Sequence, residues 1–285
     1  MSLNNSILTN SGAMVALTNL ASINTSLKTT ENRVSTGLKI SGAQDNASVF
    51  AVAQGIRGNI KSFDAVSTAL SGAQGVVSVA ISAATSVSNA MQDIKTKLTE
   101  LSDDSITTTQ RSYYNNDLSA LINQVNTSFV QGATYNSYNL LTSTAQLNVI
   151  ADVSGHQLTF GGTTDVLTSA ISTFMSSISG EMSASDGSSA RTMISGTGAW
   201  DTFNNAVNAV LNDLGATNRS LSDQITFNQS VSDATTTGLG ALVDADLAKE
   251  SANLTAIQTQ QQLATQTLSI ANQQPQILLS LFKGG

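Results

Sequence analysis

Apolar side chains in this chain recur mainly at helical spacing, in blocks near both ends and through a long internal stretch. Toward the N-terminus Leu20, Leu27 and Val34 stand seven residues apart, with Ile23 at the intervening core-type position and Ala13 and Ala16 extending the pattern backward. Toward the C-terminus Leu247, Leu254 and Leu268 form one row, interrupted by Gln261, and Ile257, Ala264, Ala271 and Leu278 form a second. Both seams are narrow. A helix with one thin apolar stripe buries too little by itself to offset the entropy of ordering it, so these helices need each other or copies of themselves. The longest block is internal: Ile56, Phe63, Leu70, Val77, Ala84, Met91 and Leu98 are interleaved with Val52, Val66, Ala73, Ala80, Val87, Ile94 and Leu101, and Asn59 breaks the second row. That run predicts a helix on the order of 70 Å long. Gly55, Gly58, Gly72 and Gly75 weaken it locally while permitting close approach of neighbouring helices.

Asp103-Asp104-Ser105 ends this helix, and a second is expected from about Thr109 to Val130, with Leu118, Leu121, Ile122 and Val125 facing inward. The period then changes. Leu147-Asn148-Val149-Ile150 and Gln157-Leu158-Thr159-Phe160 alternate around Asp152 to His156, which predicts a β-hairpin. Val166 to Ile178 is expected to be a short helix and the Ser/Gly-rich stretch from Ser183 to Gly198 a loop. Helical spacing returns with Phe203, Val207, Val210, Leu214 and Leu221, and Gly238 and Gly240 are expected to mark a joint before the terminal helix. The pattern predicts a mainly α fold of long antiparallel helices, nested in a coiled-coil-like rod with a small β-hairpin region near the middle.

Composition sharpens this picture. Aromatic residues make up 5% of the 285 positions and charged residues 11%, proline occurs once and cysteine never. Helices packed through small residues fit such a chain better than a core of interlocking aromatics. With 12 basic and 19 acidic residues the net charge is −7, which opposes nonspecific attraction to phosphate backbones, so no nucleic-acid partner is expected. Met1-Ser2-Leu3-Asn4-Asn5-Ser6 lacks a basic region followed by an apolar core, so no cleavable secretory signal is expected. No apolar run long enough to span a bilayer is expected either.

At both joints the residues resemble the bacterial flagellin family. Thr18-Asn19-Leu20-Ala21-Ser22-Ile23-Asn24, then Arg33-Val34-Ser35-Thr36-Gly37-Leu38-Lys39-Ile40 and Ala43-Gln44-Asp45-Asn46-Ala47, are similar to its N-terminal signature of helix, short spoke and second helix. Val243-Asp244-Ala245-Asp246-Leu247-Ala248-Lys249-Glu250-Ser251-Ala252-Asn253-Leu254 and Ala271-Asn272-Gln273-Gln274-Pro275-Gln276 resemble its C-terminal signature. The likeness covers about the first 140 and last 90 residues. It implies a structural subunit of the extracellular flagellar filament, in a short form without large outer domains. Residues 1–42 and 243–285 would form an inner terminal-helix domain around a central channel. Residues 43–242 would form an outer helical bundle, with a small surface segment at about 145–198.

The resemblance implies that the chain's main partner is itself, alongside the flagellar export apparatus, a flagellin chaperone, and filament cap and junction proteins. The expected assembly seam comprises Leu20, Ile23, Leu27, Val34, Leu247, Leu254, Ile257, Leu268, Leu278 and Leu281. The expected outer core comprises Ile56, Phe63, Leu70, Val77, Met91, Leu98, Phe203, Val207, Val210 and Leu214. The terminal segments are expected to be largely unfolded before assembly, and Gln258, Gln260, Gln262 and Gln266 to offer a neutral channel lining. Flagellins detected by the vertebrate innate receptor carry a Gln-Arg-Val-Arg-Glu-Leu-type patch. Here the stretch reads Gln92-Asp93-Ile94-Lys95-Thr96-Lys97, so weak or absent recognition is expected.

No catalytic, cofactor or metal site is expected. His156, the single histidine, reads as a solvated turn residue, and Asp244, Asp246 and Glu250 read as helix-start and solvent-face charges. Two alternatives share the architecture: a hook–filament junction protein and a coiled-coil adaptor that does not polymerise.

Overall fold

The computed structural model describes residues 10–142, 146–160, 165–181, 187–196 and 198–283, with side chains in the last helix described through Gln273. The chain divides into two compact units, Met1–Gly58 with Ala234–Gly285, and Asn59–Asp233.

The first unit contains α1 (Ser11–Thr36) and α7 (Leu247–Lys283). Asn10 caps α1 by accepting the Ala13 N–H at 3.0 Å. At the other end Gly37 takes φ +71° and returns its N–H to the Arg33 carbonyl, a left-handed stop that a Cβ would strain. Asp246 caps α7 through the N–H groups of Ala248 and Lys249, both at 3.1 Å. Between the helices the two joints are stitched together. Lys39 N–H donates to the Val243 carbonyl at 2.7 Å and Ala245 N–H to the Gly37 carbonyl at 2.9 Å, while Leu38 and Asp244 form an antiparallel bridge. A small core of Ile40, Ala53 and Val243, flanked by Phe50 and Leu239, lies beneath this stitch. Where α2 (Ala43–Leu101) begins, Asn46 is extended rather than helical, and its side chain accepts the Val49 N–H. Asn46 is thus the working cap of the long helix.

In the second unit α2 and α6 (Ala199–Val243) run antiparallel. Asn228 donates to the Phe63 carbonyl and the Ser67 hydroxyl, and further along Gln74 donates to Asn218. The core follows the α2 row: Leu70, Val77, Ala80, Ala84, Val87, Met91, Ile94 and Leu98 are essentially inaccessible. Phe203, Val207, Val210, Leu214 and Leu221 meet them from α6. Each large aliphatic group so buried is worth about 1.5–3 kcal/mol against exposure. Phe174 of α4 (Asp165–Glu181) stacks on Phe203 at 5.3 Å between centroids. The strands β1 (Leu147–Ile150) and β2 (Gln157–Phe160) pair antiparallel, Leu147 opposite Phe160 and Ile150 opposite Gln157, with the extents read from alternation.

Several expectations are corrected. The helix after Thr108 is α-helical only to Asn123 (α3, Thr108–Asn123), and Gln124–Val130 continues as a wider π-helix, a local geometry that side-chain period does not encode. Leu121 there is half-buried. Within the stretch expected to be loop, Ser188–Ile194 is a short helix, α5. Tertiary contacts hold it: Arg191 donates to the Ser102 carbonyl at 2.6 Å and to Asp104 at 3.0 Å, and Ala190 and Met193 are buried. Gly187 sits so close to the α2–α3 turn that a Cβ would fall 2.4 Å from the Ser102 carbonyl oxygen. Gly238 and Gly240 do not break α6, which runs on to Val243 because Leu239 and Val243 are packed in the small core. Ile56 and Phe63 are half-buried, and Val52 is 55% exposed.

One segment of α2 is also apolar enough to cross a membrane by length and composition, with a mean hydropathy of 1.3 over 18 residues. The helix is the spine of a folded core, however, and Val77, Ala80, Ala84 and Val87 are buried against protein.

Candidate assembly interface

The terminal helices meet along the face that the heptads mark. On α1 the half-buried or buried positions are Ala13, Ala16, Leu20, Ile23, Leu27, Thr30, Arg33 and Val34; on α7 they are Glu250, Leu254, Ile257, Gln261, Ala264, Leu268 and Ala271. Three polar links fix the antiparallel register. Asn10 Nδ2 donates to the Ala271 carbonyl at 2.8 Å, Gln261 Nε2 to Asn24 Oδ1 at 2.7 Å, and Arg33 pairs with Glu250 at 3.2 Å. Gln261, which interrupts the apolar row, is therefore a register pin that faces its partner helix. A polar residue in a seam is commonly a positional device of this kind. Its signal in sequence was the interruption itself; Asn24, Thr30 and the Arg33–Glu250 pair carried none.

The seam is thinly covered. On the described part of the two helices only Ala16 and Thr30 are fully buried. Leu20, Ile23, Leu27, Val34, Leu254, Ile257 and Leu268 are half-buried, and Leu247 is 49% exposed at the first position of α7, before the helix reaches Arg33. The side chains of Leu278 and Leu281 lie outside the described residues. A second apolar set points away from the seam: Met14, Val15 and Leu17 on α1 and Leu263 and Ile270 on α7, each between 56% and 66% exposed. Leu263 and Ile270 are themselves seven apart, a third row that the sequence reading passed over. The outward glutamines 258, 260, 262 and 266 are exposed and uncharged.

At the stitched joint the Asp45 carboxylate accepts from Ser41 N–H at 2.9 Å, Gly42 N–H at 3.1 Å and the Ser41 hydroxyl at 3.1 Å. These bonds, the Ser41 amide first, hold its carboxyl below the usual range. Elsewhere His156 Nδ1 contacts Asp152 Oδ2 in the exposed hairpin turn, and this bond draws the Asp152 carboxyl down. Among the described residues no three His, Cys, Asp or Glu side chains cluster as metal ligands would.

Long paired helices, a narrow seam and an exposed second apolar stripe define a helical protein of a structural class. The N-terminal helical region of bacterial flagellin matches residues 7–146 and the C-terminal helical region residues 197–282. The flagellin of Brucella melitensis is 38% identical over 98% of this chain and 99% of its own length. Flagellin FljM of Caulobacter vibrioides is 35% identical, and flagellin FljK of the same organism 35%, each over 98% of this chain and 99% of its own. The chain belongs to the bacterial flagellin family. It is a structural subunit of the flagellar filament, a homopolymer that the family exports and builds outside the cell.

Proposed function

We propose that the α1/α7 pair is the assembly device: its seam holds the two helices in register and its outward stripe packs against neighbouring copies. The observation that carries this is the exposure of Met14, Val15, Leu17, Leu263 and Ile270 on helices that share so little burial. Neighbours in an open helical polymer would cover that surface, and head-to-tail contacts of this kind do not close on themselves. Little buried area also means low local stability, which suits terminal segments that order late and pass through a narrow export channel. The domain division goes with this reading. Residues 1–42 and 243–285 form the inner domain, its two segments bonded together between Gly37 to Ile40 and Val243 to Ala245, and residues 43–242 form the outer one. The outward glutamines give the inner domain a neutral lining along which an unfolded chain slides.

Seeded polymerisation tests this. The full chain extends short filament seeds into long tubes under negative-stain microscopy, and a copy truncated before Val243 does not; extension by the truncated copy refutes the assignment. The junction and adaptor alternatives predict small particles from both.

Weak engagement of the innate receptor belongs to the same proposal. Lys95 Nζ lies 4.2 Å from the Trp200 ring centroid, and Lys97 bonds Glu100 at 2.9 Å and lies 3.7 Å from Asp117. Both cations are thus engaged within the subunit. Strong activation of receptor-bearing cells by the pure monomer would overturn this part.

A further inference from the structure

The fold treats the methionines unequally. Met91 and Met193 are 1% and 4% exposed, and Met175 is half-buried against the core of the second unit. Met14, in the first turn of α1, is 66% exposed, and among the described methionines it alone stands out in this way. It belongs to the outward stripe, which has defined limits. Asn10 bonds Ala271 and Gln261 bonds Asn24, and Met14, Val15, Leu17, Leu263 and Ile270 all lie between these two pins. Neither stretch, 10–24 or 261–271, contains a charged residue. The thioether therefore lies open to solvent in a neutral part of the helix pair.

A thioether is soft, weakly polar and well suited to an apolar contact. Its sulfoxide is polar, and the added oxygen is a strong acceptor that needs a donor when buried. The polar side chains one turn away on α1 are already engaged. Asn10 Nδ2 donates to the Ala271 carbonyl and Asn10 Oδ1 accepts the Ala13 N–H, while the Thr18 hydroxyl donates to the Met14 carbonyl at 2.9 Å. An oxygen on Met14 Sδ would be hydrated in the free subunit and would find no spare donor on its own helix once a neighbour covered it.

We propose that Met14 is a redox-sensitive residue that gates assembly: oxidation of its sulfur by a peroxide withdraws the free subunit from polymerisation, and incorporation into the filament protects it. The inference rests on the reading that neighbouring copies cover the outward stripe. In the step itself the peroxide O–O bond breaks and one oxygen forms a bond to Sδ. The other leaves as water with both peroxide protons, so the sulfur loses two electrons and the peroxide gains them. Methionine sulfoxide reductases reverse the change, one enzyme for each sulfoxide epimer, with a dithiol as reductant and water and a disulfide as products.

The test treats the full chain with hydrogen peroxide, removes the oxidant with catalase and locates the added oxygen by fragmentation mass spectrometry. Oxidation of Met14 should raise the critical concentration for seeded elongation at least tenfold and leave the circular dichroism of the monomer unchanged. The reductase pair should restore elongation in step with loss of oxygen from Met14. Met14→Leu, treated alike, should elongate as its untreated form does, and Met14→Gln should elongate poorly without any oxidant. In seeded filaments Met14 should oxidise at least tenfold more slowly than in the monomer. Normal elongation of Met14-oxidised chain, an equal loss in treated Met14→Leu, or equal oxidation rates in monomer and filament would each overturn the inference while the filament reading stood. Should Met14→Leu fail to elongate untreated, the reductase result on the wild type decides, and recovery that does not follow Met14 refutes the assignment. An untreated wild-type chain that never extends seeds would overturn the assembly reading and this inference with it.

Discussion

Replacing Ile270 with alanine separates the cost of folding from the gain of assembly. In the single chain Ile270 is 63% exposed on α7, so the fold uses about a third of its surface. Full burial of a large aliphatic side chain is worth about 1.5–3 kcal/mol, which leaves roughly 1–2 kcal/mol to be gained against a neighbour. Alanine keeps only the Cβ and forfeits most of that gain. At 1.4 kcal/mol per factor of ten, the critical concentration for elongation should rise about 5- to 20-fold. Monomer stability should move by about 0.5–1 kcal/mol at most, the share of that burial the single chain already makes. Leu263, 56% exposed one heptad away, should behave alike, and the two effects should multiply. The assay is sedimentation of seeded polymer across a dilution series, with circular dichroism of the monomer as control. An unchanged critical concentration for both variants would refute the placement of this stripe between copies.

Arg111 is buried and donates to the Leu101 and Asp103 carbonyls at 2.6 and 2.8 Å, closing the C-terminal end of α2. Arg111→Met should destabilise the chain by about 2–3 kcal/mol, read as a lower denaturation midpoint from Trp200, the single tryptophan. Gly132→Ala should cost about 1–3 kcal/mol on the same probe, because the added Cβ would fall 2.3 Å from the Ser128 carbonyl oxygen; unchanged melting would show that the end of the π-helix yields freely. The Asp45 bonds predict a pH effect. Its carboxyl is held below its unfolded value, so the stabilisation is complete above the usual aspartate pKa of about 4 and is lost as pH falls below it through the folded value. Protection of the Ser41 and Gly42 amides, taken relative to intrinsic exchange at each pH, should fall over that acid range in the wild type, and Asp45→Ala should show low protection already at neutral pH.

Side-chain period by itself determined the long helices, the α2 row from Leu70 to Leu98, the seam faces of α1 and α7 and the extents of β1 and β2. Those features depend on which residues share a face, and a period of 3.6 or 2 fixes that locally. What covers a face is a different matter, and only the tertiary structure decided it. Gln261 interrupts the apolar row in sequence, and in the fold it faces Asn24 and bonds to it. Leu247 belongs to the heptad but is 49% exposed at the first position of α7. Gly238 and Gly240 carried a helix-breaking signal of about 1 kcal/mol each, which packing of Leu239 and Val243 offsets. Ser188–Ile194 is helical although its flanks are rich in serine and glycine, since Asp104 and the Ser102 carbonyl, more than eighty residues earlier, anchor Arg191. Local preferences in such places amount to tenths of a kcal/mol to about 1 kcal/mol, and a single buried contact or charge-assisted hydrogen bond from a distant segment is larger.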